Sequence, residues 1–263
     1  MRNIFFENIE KLNFFNFPTR KEAANFIITD WQKSKKSMVV NYIYYSNYVL
    51  LRKHNEYARA ILLSNYLLSD GIGMEIYFKK VIGKKITNLN GTDLNPLFLR
   101  ELKERNIPIA LYGTTRDNIE CCTKKLLNQN INIYYYHDGF SPLNWGLIKP
   151  NSALFVGLGT PKQEIWVQDN WDKILTQNLL IVTVGGFFDF CSGFYKKAPH
   201  YLINLHLEWL WRLMLNPIRH YKKNMRNLTI FYYLFADTLN PRIKKLTIKK
   251  GGYKRFGTKL HIF

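Results

Sequence analysis

The sequence predicts an α/β fold: a Rossmann-like domain whose parallel sheet is covered by helices, followed by a basic, aromatic helical extension. Two observations carry this. Short apolar runs end repeatedly in glycine or Asp-Gly and are followed by helical stretches, the pattern of a parallel sheet with crossover helices. Charge is also divided unevenly. Of the net +19, fifteen Lys/Arg against two acids (Glu208 and Asp237) lie beyond residue 195, leaving +13 there and +6 ahead of it. We therefore divide the chain into an α/β domain, 1–195, and an extension, 196–263.

Taken in order, Pro18-Thr19-Arg-Lys-Glu22 opens a helix with Thr19 as N-cap. Residues 38–42, rich in Val, form a strand, and 56–63 form an amphipathic helix. Residues 66–70 form a short strand ending in Asp70-Gly71-Ile72-Gly73; a carboxylate there stands at the crevice where α/β folds bind ligands, although Asp-Gly is also ordinary turn chemistry. Asn88-Leu-Asn-Gly-Thr-Asp-Leu94 opens a helix that runs to about Arg105, with Thr92 or Asp93 near its cap. Residues 107–112 and 131–136 are strands, separated by a helix at 118–127; the second ends in His137-Asp138, candidate acceptor-site residues.

The central stretch is Ala153-Leu-Phe-Val-Gly-Leu-Gly-Thr-Pro-Lys-Gln-Glu-Ile-Trp166. A buried strand breaks at Gly157 and Gly159, and a helix begins near Pro161, with Gln163 and Glu164 in its first turn. Such a turn can bring backbone amides and a helix N-terminus to an anion. It lacks the third glycine of the dinucleotide fingerprint and the Gly-Lys-Ser/Thr of a P-loop. The last strong strand, 179–184, ends in Gly185-Gly186, and Asp189 follows, where it could line a site or cap the next helix.

Composition narrows the function. No run of about 18 uncharged apolar residues exists, so no membrane-spanning helix is expected, and the acids near the N-terminus argue against a signal peptide. Cys121, Cys122 and Cys191 make neither a disulfide framework nor a zinc spacing, which suits a reducing cytoplasm; Cys191 reads as a small packing residue. Helical segments at 201–215 and 221–236 mix aromatics with Lys/Arg, as interfacial membrane helices do, and the apolar run 228–236 is too short to span a bilayer. The tail from Arg242, with eight Lys/Arg, is expected to be partly disordered. A basic aromatic tail also suits a nucleic-acid binder or a non-catalytic membrane scaffold, but no nucleic-acid motif is present.

Several blocks in this order resemble the WecG/TagA/CpsF glycosyltransferases, also called glycosyltransferase family 26: Asp70-Gly-Ile-Gly73, Asn90-Gly-Thr-Asp-Leu94, Gly157-Leu-Gly-Thr-Pro-Lys-Gln-Glu-Ile-Trp166, Val184-Gly-Gly-Phe-Phe-Asp-Phe190, Lys197-Ala-Pro199, Leu207-Glu-Trp-Leu-Trp-Arg212 and Pro217-Ile-Arg219. They cover about residues 38–225. The resemblance implies an inverting, metal-independent enzyme without a cofactor. It would move a sugar from a UDP-sugar donor to a polyprenyl-diphosphate-linked sugar acceptor in cell-surface polysaccharide assembly. It also implies peripheral association with the inner face of the cell membrane through anionic lipid, with no nucleic-acid partner and a homo-oligomer permitted.

By the resemblance Asp70 is the base that deprotonates the acceptor hydroxyl, while Arg212, Arg219 and, in the place of a third arginine, Lys222 neutralise the leaving diphosphate. Candidate substrate-binding residues are Asn47, Asn88, Gly91, Thr92, Gly157, Gly159, Thr160, Gln163, Glu164, Asp189 and Lys222. Three departures fall on the donor side. Tyr42 and Tyr44 stand where the family usually has Thr-x-Asn, Asn88 replaces a pocket arginine, and Lys197 replaces the arginine before Ala-Pro. The donor sugar is therefore left open among N-acetylmannosamine, glucose and others.

Overall fold

A computed structural model describes residues 3–195, 199, 202, 211, 214, 225–251, 253–256 and 259–262. Its centre is an eight-stranded sheet of order β5-β4-β6-β7-β2-β3-β1-β8, parallel throughout. The strands are β1 (Asn13–Asn16), β2 (Met38–Tyr44), β3 (Tyr66–Asp70), β4 (Ile109–Gly113), β5 (Ile133–His137), β6 (Ala153–Gly157), β7 (Leu180–Thr183) and β8 (Thr247–Lys250). The strands β4, β6 and β7 are buried at every position, which is why they read as unbroken apolar runs rather than as alternation.

The helices have local causes. In α2 (Arg20–Ser34), Thr19 accepts the amide of Glu22 at 3.1 Å, the cap that the sequence predicts. The cap of α6 (Gly91–Glu104) lies earlier than expected: Asn90, not Thr92 or Asp93, accepts the Asp93 amide, at 3.1 Å. Pro161 is likewise the cap of α8 (Lys162–Asp169) rather than its first residue. Thr115 caps α7 (Arg116–Leu127), and α10 (Phe187–Ser192) follows the Gly185-Gly186 turn. Between β2 and β3 lie α3 (Tyr45–Leu51) and α4 (Asn55–Leu62); after β3 comes α5 (Ile72–Tyr77), prolonged by a wider turn, Phe78–Ile82.

The extension, set apart in the sequence at 196, returns to the α/β body in its described part. Thr247–Lys250, expected within a partly disordered tail, instead pairs with β1 as the edge strand β8, because Ile243 and Leu246 sink into the apolar cluster beneath it. Beyond it, Tyr253–Phe256 and Lys259–Ile262 form an antiparallel pair of strands, β9 and β10.

The helix α11 (Ile230–Thr238) packs Ile230, Tyr233 and Leu234 on the same cluster. It is fastened by a buried ion pair, in which both terminal nitrogens of Arg52 donate to the Asp237 carboxylate. Tyr77 donates to that carboxylate as well, its own hydroxyl meeting that of Tyr48 at 3.0 Å, and the Arg52 guanidinium lies 4.2 Å over the ring of Tyr233.

Truncating one partner strands the other charge in an apolar setting, at a cost of about 3–5 kcal/mol. Asp237→Ala should therefore lower the urea midpoint and speed amide exchange over residues 230–238. A loss below about 1 kcal/mol would show that the pair does not fasten this helix.

Candidate functional site

The site is built on the C-terminal ends of parallel strands, where side chains clear the covering helices. On one side stands β3, ending in the half-buried Asp70. The next residue, Gly71, has φ +84°, a conformation that side chains rarely adopt, so the chain can turn sharply away from the carboxylate. Asn88 holds that turn: its Oδ1 accepts the Gly71 amide at 2.8 Å, and its own amide donates to Glu75 at 3.0 Å. Asn88 thus frames the Asp70 loop from behind.

Tyr42 is buried, donates to Asn95 Oδ1 at 2.7 Å and packs its ring 3.6 Å from where a side chain on Gly91 would begin. Burial, and then the nearby Asp70 charge, hold its hydroxyl well above the usual phenol range, so it stays a neutral donor. Thr92 faces elsewhere, into a cleft of about 460 Å³ that it lines with Phe187, Phe190 and Cys191.

On the other side stands the turn after β6. The register pairs Tyr44 with Asp70, Val40 with Val182 and Val156 with Thr183, so β2 and β7 separate the two sides. Three strand spacings put β3 and β6 roughly 14 Å apart. The two glycines of the turn serve different needs. Gly159 has φ +78° with open space around it, so its conformation is what excludes other residues. Gly157 is packed instead: a methyl there would come within 2.5 Å of the buried Phe188 ring.

Beyond the turn, four candidate residues form one hydrogen-bonded chain. Asn47 donates to Thr160 Oγ1 at 3.2 Å, Thr160 donates to Glu164 Oε1 at 2.9 Å, and Gln163 Nε2 donates to the same oxygen at 2.9 Å. The Gln163 Oε1 then accepts the Gly185 amide at 3.0 Å, tying α8 to the turn after β7. Asn47, Gln163 and Glu164 are all buried, so the chain sets the shape of the crevice floor. The peptide between Thr160 and Pro161 is cis.

Burial pushes the Glu164 carboxyl up to about 7, against the hydrogen bonds from Gln163 and Thr160, which favour its charge. Among the described residues its second oxygen, Oε2, is buried without a partner, as is the hydroxyl of Tyr57.

Asp189 belongs to a third group that sequence reasoning missed in part. Its carboxylate accepts from the Thr114 hydroxyl and from Asn118 Nδ2, the latter at 3.1 Å. Thr114 reaches the glycine turn through its amide, which donates to Gly157 O at 3.2 Å. The Gly113-Thr114-Thr115 break after a strand was the available signal for Thr114. His137 and Asp138 engage the backbone next to them, at Asp138 and Phe140. The predicted cations Arg212, Arg219 and Lys222, with Lys197, lie outside the described residues. Among the described residues, no group of three or more His, Cys, Asp or Glu side chains could hold a metal ion.

Because Glu164 is raised in the folded state, the native protein binds more protons than the unfolded chain between about pH 4.5 and pH 7. Its contribution to stability is complete below that window and is lost as pH rises through it, by up to about 3 kcal/mol. Glu164→Gln should flatten this part of the stability profile measured by denaturant unfolding. An unchanged slope would show that Glu164 is not the group titrating there.

The model of the Glycosyl transferase WecG/TagA/CpsF family matches residues 8–244. Two similar proteins are N-acetylglucosaminyldiphosphoundecaprenol N-acetyl-beta-D-mannosaminyltransferases. That of Bacillus subtilis strain 168 is 31% identical over 174 residues, which is 64% of this chain and 67% of the relative. That of Bacillus spizizenii is 30% identical over 171 residues, 62% of this chain and 65% of the relative, so the match spans about two thirds of each relative. The carboxylate turn after β3, the Asn-Gly-Thr-Asp helix start and the Gly-Leu-Gly-Thr-Pro-Lys-Gln-Glu turn all lie within the matched region, and the chain belongs to the WecG/TagA/CpsF family of glycosyltransferases.

Proposed function

We propose that this protein transfers a sugar, with inversion, from a UDP-sugar to a sugar carried on a polyprenyl diphosphate. The observation that carries this reading is the placement of the Asp70 loop, framed by Asn88, across the crevice from the Asn47–Thr160–Glu164–Gln163 chain. One side offers a carboxylate to an acceptor hydroxyl. The other offers a glycine turn and a helix start to a diphosphate. In the reaction the acceptor oxygen bonds to the anomeric carbon, its proton passes to Asp70, and the bond from that carbon to the phosphate oxygen breaks with its electron pair leaving on UDP. A single displacement needs one carboxylate and gives inversion. Side-chain cations are assigned the charge on the leaving group, in keeping with a sequence that has no Asp-x-Asp pair. The relatives' names favour N-acetylmannosamine as the donor sugar and lipid-linked N-acetylglucosamine as the acceptor.

The acceptor's lipid calls for a membrane surface, and α11 supports one. Its inner face is packed, while Phe231 and Phe235 are each 75% exposed and Tyr232 and Leu239 are also exposed. Exposed Lys79 and Lys80 sit on the turn packed against α11, and exposed Arg242 and Lys244 follow it, so the apolar strip has a basic border. Anionic lipid is the surface that this pairing fits. Among the described residues no helix is long and apolar enough to cross a membrane.

Asp70→Asn should reduce acceptor-dependent UDP release by about 10²–10⁴-fold with the folded protein intact; near-normal turnover would remove Asp70 from the chemistry. Replacing both Phe231 and Phe235 by Ser should weaken flotation with phosphatidylglycerol vesicles at least about tenfold. Unchanged flotation would move the membrane contact elsewhere.

A further inference from the structure

One contact between the extension and the crevice is not explained by packing. Arg226 donates through Nε to Ser46 Oγ at 3.0 Å, joining residues 180 positions apart. Ser46 is fully buried and stands immediately before Asn47, the residue that reaches Thr160 of the glycine turn. The helix α3 that carries both begins where β2 ends, between Asp70 on β3 and the turn after β7. Arg226 therefore enters over the middle of the crevice, between the carboxylate side and the diphosphate side.

Its charge is poorly answered there. The guanidinium is half-buried, and a serine hydroxyl is a neutral partner. Among the described residues, neither terminal nitrogen has a hydrogen-bond or ion-pair partner. The acid linked to the same turn, Glu164, is raised by burial to about 7, so near neutral pH it answers that charge only in part. Tyr57, whose hydroxyl is held well above the usual phenol range mainly by burial, lies near both groups: the Glu164 charge raises it further and Arg226 lowers it. A guanidinium anchored by Nε presents its remaining N–H donors as a planar fork that matches two oxygens of a phosphate.

We propose that Arg226 is a donor-contacting residue. Its fork binds the terminal phosphate of the nucleotide diphosphate and takes up the charge that develops on it as the sugar leaves. The proposal rests on the glycosyl-transfer reading above and adds to it a residue outside the set the family resemblance implies, four positions beyond Lys222. Ser46 is its positioning residue, aiming the fork from below. The same contact makes donor binding and docking of the extension mutually favourable, since each orders the group that the other uses.

The test is calorimetric binding of UDP and of UMP to the full chain, without membrane, for wild type, Arg226→Ala, Arg226→Lys and Ser46→Ala. Wild type should bind UDP. Arg226→Ala should weaken UDP binding on the order of tenfold to a hundredfold while changing UMP binding by less than about threefold. Arg226→Lys should recover only part of the loss, because an ammonium lacks the fork, and Ser46→Ala should show a smaller loss of the same selectivity. A purely structural role would weaken both nucleotides together, and that outcome, or no change in either, overturns the proposal while leaving the transferase reading in place. If Arg226→Ala does not fold, the UDP-to-UMP selectivity of Arg226→Lys and Ser46→Ala decides on the same terms. A folded wild type that neither binds UDP nor releases it from any donor sugar overturns both.

Discussion

The two halves of this molecule meet at one ladder, the pairing of β2 with β7. On one side lie β3, β1 and β8, and on the other β6, β4 and β5. Three residue pairs join them, Met38 with Leu180, Val39 with Ile181 and Val40 with Val182. Just beyond the last pair, Thr183 Oγ1 donates to Asn41 Oδ1 at 2.6 Å in a buried position. Both strands are covered on both faces, so a slip of one residue here would exchange the side chains that meet the two helix layers. It would also displace the Asp70 loop against the glycine turn, since these stand on opposite sides of the ladder. The polar clasp of Asn41 and Thr183 pins a register that apolar contacts alone would define less sharply, because Val, Ile and Leu pack almost equally well one step along.

Much of this was legible in the sequence. The buried strands announced themselves as apolar runs stopped by glycine, because strands covered on both faces need apolar side chains throughout and must then turn sharply. The candidate residues Asn47, Thr160, Gln163 and Glu164 form one connected group, since they lie on the segments that follow β2 and β6, two strands with only β7 between them. What sequence reading missed shares a cause. The strand β1, the helix α3 and the edge strand β8 are short and defined by partners far along the chain, as when Asn13 pairs with Thr247. The basic composition after residue 242 pointed to partial disorder, yet Ile243 and Leu246 are buried, Ile248 packs on the same cluster and Thr247–Lys250 pair with β1. The cap of α6 was misplaced because Asn90, Thr92 and Asp93 are all good capping residues, and only the backbone distinguishes them.

The departures from the family pattern also acquire physical content. Tyr42 is absorbed into packing with Asn95 and Gly91, and Asn88 into supporting the Gly71 turn. At two positions where the resemblance implied donor-side residues, the side chains are here part of the frame. On the proposed reading such a shift gives more weight to cations of the extension, whose described part is held on the body by the Arg52–Asp237 pair. Around that pair the aromatic rings of Tyr48, Tyr77 and Tyr233 exclude water while offering hydroxyls and a π face, which lets an ion pair persist among apolar neighbours.

The edge strand β8 has a consequence for how the molecule is made. During synthesis β1 emerges early, pairs inward with β3 and leaves its outer edge unpaired until residues 247–250 leave the ribosome. An open edge rich in phenylalanine, with Phe14 and Phe15 in its middle, is a template for pairing with other nascent chains. The late segment that closes it is dense in lysine, and Lys249 and Lys250 pair with Phe15 and Asn16. The sheet is thus finished by a strand whose charge repels further strands, so that completing the fold and capping its growing edge are a single event.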